Sequence, residues 1–246
     1  MAKVWIGTSG YYYNHWRKGV FYPIKLPQQK QLEYYSQFFD TVELNVTFYR
    51  LPQEKAFLTW YKKTPKEFLF SVKGNRFITH IKGLKDCDEP LKRFFERASL
   101  LKEKLGVVLW QLPPNFKCNL NRLKDFLDAL YPYNDYYHTF EFRHPSWFYR
   151  ETHEMIKQHK TAICQSDWPD LVEVKDGYPF IYIRRHGSPL YAGCYSKKEL
   201  QQDAEYIVSQ LNSGRDVFVY FNNDAFGYAT RNALELKEII KDMEKS

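Results

Sequence analysis

The sequence predicts an α/β fold in which eight parallel strands close into one barrel, the (β/α)8 or TIM barrel. Short apolar runs recur eight times along the chain, and longer amphipathic stretches lie between them. This alternation is typical of βαβ units, which build parallel sheets. The chain has 246 residues, and about 250 residues is the usual size of a closed eight-stranded barrel.

The eight apolar runs are rich in β-branched and aromatic side chains, as β-strands are. They lie at residues 4–7, 41–45, 68–73, 106–110, 138–143, 161–165, 180–185 and 217–221. Apolar residues at three- and four-residue spacing predict helices at residues 54–63, 90–105, 120–130, 197–211 and 229–243. Ser196, with Glu199 three residues later, predicts a capping box before the fourth of these helices.

An open, doubly wound sheet is the alternative fold. Such a sheet is expected to carry a GxGxxG phosphate turn after its first strand. The first strand is instead followed by Gly7-Thr8-Ser9-Gly10, which lacks that spacing. The sequence shows no linker, internal repeat or low-complexity tract, so we expect a single domain over residues 1–246.

The formal net charge is +7 and the isoelectric point is about 9.0, which permits attraction to nucleic acid, acidic lipid or anionic substrates. Basic pairs such as Lys62-Lys63 are short and lie on predicted helices, so a solvated basic surface is favoured. The cysteines, Cys87, Cys118, Cys164 and Cys194, are scattered without a metal-finger spacing. No apolar run approaches the roughly 18 residues that span a bilayer, and the N-terminus lacks a signal-peptide pattern. We expect a cytoplasmic protein with no membrane partner.

Polar residues end most of the predicted strands, where the active sites of such barrels lie. Residues two apart on a strand point the same way, so Glu141 and Arg143 are expected to face the barrel axis while Phe140 and Phe142 face the helices. Ion pairs of this kind also fill barrel interiors without doing chemistry. Their recurrence at nearly every strand end favours a functional pocket, because isolated buried charges are costly.

The residue types at these ends suggest separate roles. The predicted catalytic residues are Glu43, Lys73, Glu141, Asp167 and His186. The predicted substrate-binding residues are Ser9, Asn45, Gln111, Arg143, Arg184, Asn222 and Asp224. Carboxylates with a histidine suit proton transfer or a divalent metal, whereas lysine and arginine suit a carboxylate or phosphate. The near balance of charge argues against a cage made only for metal, so a divalent metal stays open, and no motif indicates an organic cofactor.

Other candidates are weaker. His80 and His144 lie near the predicted rim, but a lone loop histidine is more often structural or solvated. Trp147 is more often a packing residue than a stacking platform. Gly227 offers backbone N–H groups to an anion at a helix start, which is an unspecific signal.

At the same strand ends the sequence resembles the YecE-like proteins, also called domain of unknown function 72. The matching segments are Ile6-Gly7-Thr8-Ser9-Gly10 with Trp16 and Phe21-Tyr22-Pro23, Val42-Glu43-Leu44-Asn45 with Thr47-Phe48-Tyr49, Phe70-Ser71-Val72-Lys73 with Thr79-His80, Leu109-Trp110-Gln111-Leu112-Pro113-Pro114, Phe140-Glu141-Phe142-Arg143-His144-Pro145-Ser146-Trp147, Arg184-Arg185-His186-Gly187 and Tyr220-Phe221-Asn222-Asn223-Asp224. Tyr11 stands where tryptophan is usual, and Arg185 where an aliphatic residue is common. The resemblance implies a TIM barrel related to sugar-isomerase-like barrels, and it implies no established reaction, substrate or cofactor.

Three functions follow from these observations. The first is an enzyme that isomerises or hydrolyses a small polar or anionic carbohydrate-like substrate at the C-terminal mouth of the barrel. The second is a nucleic-acid-processing or nucleic-acid-binding barrel, favoured by the basic charge and the aromatic content but disfavoured by the few histidines at strand ends. The third is a non-catalytic ligand-binding protein, since fold does not decide function. We expect a small anionic ligand rather than nucleic acid as the main partner.

Overall fold

The structure is a computed structural model, and it describes residues 2–171 and 177–245. The fold is α/β with parallel strands, as predicted, and the strands form two sheets of four and five strands. Strand pairing among the described residues therefore runs in two sheets rather than around one closed ring. No helix in those two ranges is long and apolar enough to cross a membrane. The four cysteines are free thiols.

The strands occupy all eight predicted positions. They are β1 (Val4–Thr8), β2 (Thr41–Leu44), β3 (Leu69–Lys73), β4 (Leu105–Gln111), β5 (Tyr137–Glu141), β6 (Ala162–Ile163), β7 (Gln165–Ser166), β8 (Ile181–Arg185) and β9 (Val217–Phe221). The predicted sixth strand is divided at Cys164 into β6 and β7. Gln165 lies inside the predicted run, and β7 extends one residue beyond it, to the polar Ser166.

The helices are α1 (Gln31–Tyr35), α2 (Val46–Tyr49), α3 (Glu54–Lys63), α4 (Asp88–Ala98), α5 (Leu120–Leu130), α6 (Arg150–Gln158), α7 (Lys197–Asn212) and α8 (Tyr228–Met243). The helix predicted over residues 90–105 ends early, at Ala98, and a 3₁₀ segment with Lys102 at a φ of 52° follows it. The predicted capping box is present, because the Ser196 side chain accepts from the Glu199 amide. The short helices α1 and α2 span too few turns for an apolar period to reveal them.

The described chain divides into two compact units, and the first comprises Met1–Glu43 and Phe180–Ser246. In this unit β9 lies between β1 and β8, and all three strands are parallel. Ser9, directly after β1, makes an isolated parallel bridge with Glu43. Helix α8 packs on β1 and on α7. The ends of β1, β8 and β9 therefore lie at one edge of this unit.

The second unit comprises Leu44–Pro179. Its strands pair in parallel in the order β3, β4, β5, β6. The ring centroids of Phe140 and Phe126 of α5 are 6.0 Å apart, and that contact confirms the predicted direction of Phe140 toward the helices. Phe142 stacks at 4.5 Å on the fully buried Trp147, so Trp147 is a packing residue.

Gly74, directly after β3, lies against the Trp110 ring of β4. A Cβ atom at Gly74 would stand 2.3 Å from Trp110 Cε3, far inside van der Waals contact. The ring is fully buried, and its Nε1 donates to His138 Nδ1 at 3.2 Å. Glycine is therefore required here for close approach, and the approach fixes the backbone beside Lys73.

Candidate functional site

The predicted site residues are found in both units, and each set lies at the C-terminal ends of its own strands. The first unit holds Ser9, Glu43, Arg184, His186, Asn222 and Asp224. The second holds Asn45, Lys73, Gln111, Glu141, Arg143 and Asp167. Each set is described separately.

Glu43 and Arg184 form a fully buried ion pair in the first unit. Both side chains are 0% exposed, and Arg184 Nη2 donates to Glu43 Oε1 at 2.8 Å. The Tyr182 hydroxyl donates to Glu43 Oε2 at 2.7 Å, and burial and the nearby carboxylate raise the pKa of Tyr182, which keeps that donor protonated. Both carboxylate oxygens therefore already accept hydrogen bonds. This arrangement suits Glu43 to positioning Arg184 rather than to moving a proton.

His186 is held in one tautomer beside Asn222. Its ring is fully buried, and its Nδ1 lies 3.0 Å from Asn222 Nδ2. An amide nitrogen donates and does not accept, so Nδ1 accepts and the ring proton is on Nε2. The Tyr191 ring stands edge-on at 5.7 Å. His186 therefore presents an N–H donor at Nε2.

Asp224, after β9, is a partly buried carboxyl group beside His15. Its Oδ1 is buried and has no hydrogen-bond partner among the residues that the structure describes, while its Oδ2 lies 3.7 Å from His15 Nε2. Burial raises the pKa of Asp224 to about 6, and His15 opposes that rise. Sequence patterns gave no indication of His15, since it lies in the loop after β1, several residues beyond the strand end.

Replacing Asp224 with asparagine is expected to stabilise the protein at neutral pH and not in acid. The folded pKa of about 6 lies above the ordinary value of 3.8, so the stability gained from the protonated group is complete below 3.8 and is lost as the pH rises through 6. Asparagine, like the protonated carboxyl group, is uncharged, and it stays uncharged as the pH rises. After allowance for solvent screening, the gain in the free energy of unfolding should reach about 1–2 kcal/mol near pH 8.

Urea unfolding of both proteins at about pH 4 and about pH 8 measures this difference. Asp242→Asn is the control, because the pKa of the exposed Asp242 is lowered by Lys245 and the change there should give no gain at high pH. A stability difference between Asp224→Asn and the native protein that does not change with pH contradicts the prediction.

Arg143 is the main cation of the second unit. Its Nε donates to Glu141 Oε1 at 2.7 Å, and the two side chains are 8% and 0% exposed. The guanidinium carbon lies 3.7 Å from the centroid of the Trp168 ring. In the part of the chain that the structure describes, the two terminal amino groups of Arg143 have no hydrogen-bond partner. A guanidinium fixed at Nε and by stacking is ready to bind an oxyanion with its remaining donors.

Lys73 and His80 share contact with one aromatic ring. Lys73 Nζ lies 4.2 Å from the centroid of Phe48, and the His80 ring stands edge-on to Phe48 at 5.0 Å. His80 Nδ1 lies 2.8 Å from Thr79 Oγ1. Burial, then the positive charges of Lys73, Arg143 and Arg76, lower the pKa of His80 to about 4. His80 is therefore neutral at physiological pH.

The remaining predicted residues are less informative. Gln111 Nε2 donates to the Leu112 carbonyl at 2.7 Å, a local structural contact. Asn45 precedes α2, and its buried Oδ1 has no partner within the described residues. Asp167 lies half-buried just after β7. Within residues 2–171 and 177–245, no three histidine, cysteine, aspartate or glutamate side chains are grouped to hold a metal ion.

Sequence reasoning missed Trp168 and undervalued His80. Trp168 directly follows Asp167 at the end of the divided sixth strand, and this adjacency was the available signal. His80 was treated as a lone loop histidine, although the turn Phe77–Ile81 that carries it follows closely on β3. Both residues contact or influence the predicted cations.

Comparison with known proteins gives a family match and several similar proteins. A family model described as protein of unknown function DUF72 matches residues 5–246. The chain is 28% identical to UPF0759 protein YunF of Bacillus subtilis over 92% of this chain and 91% of that protein. It is 36% identical to UPF0759 protein YecE of Escherichia coli over 48% of this chain and 43% of that protein. A solved DUF72 family protein from Thermotoga maritima is similar with a TM-score of 0.84 and 32% identity, over 97% of this chain and 99% of that one.

Proposed function

The chain belongs to the DUF72 family, and from the chemistry of its strand ends we propose that it is an enzyme acting on a small, anionic, carbohydrate-like substrate. The reaction is acid–base chemistry of the isomerase or hydrolase type. The observation that carries this proposal is the Arg143 guanidinium, which Glu141 and Trp168 fix while its terminal donors have no hydrogen-bond partner among the described residues. The match to the DUF72 family model confirms the YecE-like resemblance, and the family description assigns no reaction.

We further propose that the strands close into a TIM barrel, with the substrate bound at its C-terminal face. Two features support closure. The Ser9–Glu43 bridge brings the ends of β1 and β2 together. β6 belongs to the five-stranded sheet and β7 to the four-stranded sheet, with one residue, Cys164, between them. In such barrels the loops at the C-terminal face bind the substrate.

The anionic part of the substrate binds to fixed positive charge. Arg143 and Lys73 both rest on aromatic rings, which hold the cations in place and leave them less hydrated. Charge-assisted hydrogen bonds from such groups are about twice as strong as neutral ones. The proposed set of polar contacts also includes Ser9, Asn45, Gln111, Asn222 and Asp224, whereas Arg184 is fully buried against Glu43.

Proton transfer needs an acid and a base whose pKa values differ. In the proposal His186, with its proton on Nε2 and its ring fixed by Asn222, donates to the substrate. Glu141 or Asp167 accepts the proton. Glu43 keeps Arg184 oriented, and Lys73 stabilises developing negative charge.

A substrate screen tests the proposal. The purified protein is incubated with phosphorylated and carboxylated sugars and with their neutral counterparts, and turnover is followed by ¹H NMR. We expect turnover of at least one anionic member and none of its neutral counterpart. Binding without turnover across the panel favours the non-catalytic alternative. Submicromolar, salt-dependent binding of DNA or RNA at physiological salt favours the nucleic-acid alternative.

A further inference from the structure

We propose that Lys73, His80 and Arg143 form a subsite for a doubly charged tetrahedral anion, such as a phosphoryl group, and that His80 takes up a proton when the anion binds. This inference rests on the proposed function in placing the anionic end of the substrate beside Arg143. It goes further by naming the group as a phosphate ester and by adding His80 to the site.

The two permanent cations are held by different means. The Arg143 guanidinium donates from Nε to Glu141 and stacks on the Trp168 ring. These two contacts fix the orientation of its terminal N–H groups. Lys73 is more than nine-tenths buried at the end of β3, with its ammonium group over the face of Phe48. Both cations act on the His80 imidazole, and a planar guanidinium together with a compact ammonium matches an anion with several oxygens.

His80 is placed to respond to that anion. The positive charges that lower its pKa are Lys73 from β3, Arg143 from the segment after β5, and Arg76 beside its own turn, and the carboxylate of Glu141 is paired with Arg143. Burial first, and then these three cations, keep the imidazole neutral. An anion bound among these cations cancels their repulsion and adds attraction, so protonation of His80 becomes favourable.

One hydrogen bond indicates which nitrogen takes the proton. The Thr79 hydroxyl lies 2.8 Å from His80 Nδ1 and 3.5 Å from the Asn75 carbonyl oxygen. When the hydroxyl donates to that carbonyl, Nδ1–H donates to the hydroxyl oxygen, and Nε2 carries the lone pair. A proton from solvent then adds to Nε2. The imidazolium becomes a third positive charge, which favours a dianion over a singly charged carboxylate.

Inorganic sulfate is the probe for this subsite, because it remains doubly charged over the working pH range and only the protein titrates. The histidine ring signals are followed by NMR through a pH titration with and without sulfate. In saturating sulfate we expect the pKa of His80 to rise from about 4 toward the ordinary 6.5. The affinity for sulfate should correspondingly fall by about tenfold or more as the pH rises from about 5 to about 8.

Three variants separate the contributions. Arg143→Gln should weaken sulfate binding by about tenfold or more. His80→Asn should still bind sulfate, with an affinity that no longer depends on pH in this range. Arg122→Gln is the matched control, because Arg122 also lies over an aromatic ring, Phe116 at 5.5 Å, and its loss should leave sulfate binding unchanged.

The result that overturns the inference is sulfate binding that Arg143→Gln leaves intact, or a His80 pKa that sulfate does not move in the native protein. The native protein alone supplies the second measurement, so a variant that fails to fold does not prevent a decision. Because sulfate binding requires no turnover, the two proposals fail separately. Turnover of anionic sugars without sulfate binding overturns the subsite alone, and sulfate binding with proton uptake but no turnover counts against the enzyme alone.

Discussion

Replacing Glu43 with glutamine is expected to lower the free energy of unfolding by about 3–5 kcal/mol, the usual cost of removing one partner from a buried ion pair. The reason is the Arg184 guanidinium, which is left charged in a site with 0% exposure. The hydrogen bond from Tyr182 loses its charged acceptor as well. Urea unfolding at neutral pH measures the loss.

Two further variants show whether the uncompensated charge is the cause. Glu43→Gln combined with Arg184→Met removes both charges and should recover part of the lost stability. Asp203→Asn is the control in the same unit, because Asp203 pairs with Arg185 where both side chains keep some contact with water. Its effect should be clearly smaller. A cost below about 1 kcal/mol for Glu43→Gln would show that Arg184 has another way to compensate its charge.

Glu141→Gln is expected to reduce turnover of the substrate found in the screen by at least about 100-fold, within the usual range for loss of a proton-transferring group. The fold should remain intact, because the partner Arg143 still has the Trp168 ring and some access to water. Steady-state kinetics measures the first effect, and cooperative thermal unfolding the second.

The kinetic constants distinguish two roles for Glu141. Loss of a general base lowers kcat and removes the acidic limb of the pH profile, whereas loss of the group that positions Arg143 raises KM. Glu154→Gln is the control, since it removes an exposed partner of Arg150 on α6 and should leave both constants unchanged. Full activity in Glu141→Gln would exclude Glu141 from the chemistry.

The sequence predicted the strands well because each one is an apolar run of the expected length. The departures have local causes. The sixth predicted strand is interrupted at Cys164, and the second predicted helix ends at Ala98, before a 3₁₀ segment in which Lys102 has a positive φ. Whether the strands form one closed ring depends on pairings between distant segments, and periodicity carries no information about these.

The candidate site was predictable in its residue types but not in their surroundings. The two-residue spacing of Glu141 and Arg143 correctly brought them together. Glu43 was predicted to be catalytic from its place at a strand end, and its two oxygens accept hydrogen bonds from Tyr182 and Arg184. Whether a charged side chain is fully buried or remains accessible to solvent depends on side chains that lie far away in the sequence. Trp168 and His80 matter for the same reason.

The close approach of Gly74 to Trp110 has a consequence for directed evolution of this protein. The side chains that fit at positions 74 and 110 depend on each other, because any side chain at Gly74 would occupy space that the buried Trp110 ring already fills. A library that randomises the strand ends to change substrate preference should therefore keep this pair constant, or vary both members together. Lys73 can then be exchanged for other side chains on an unchanged backbone.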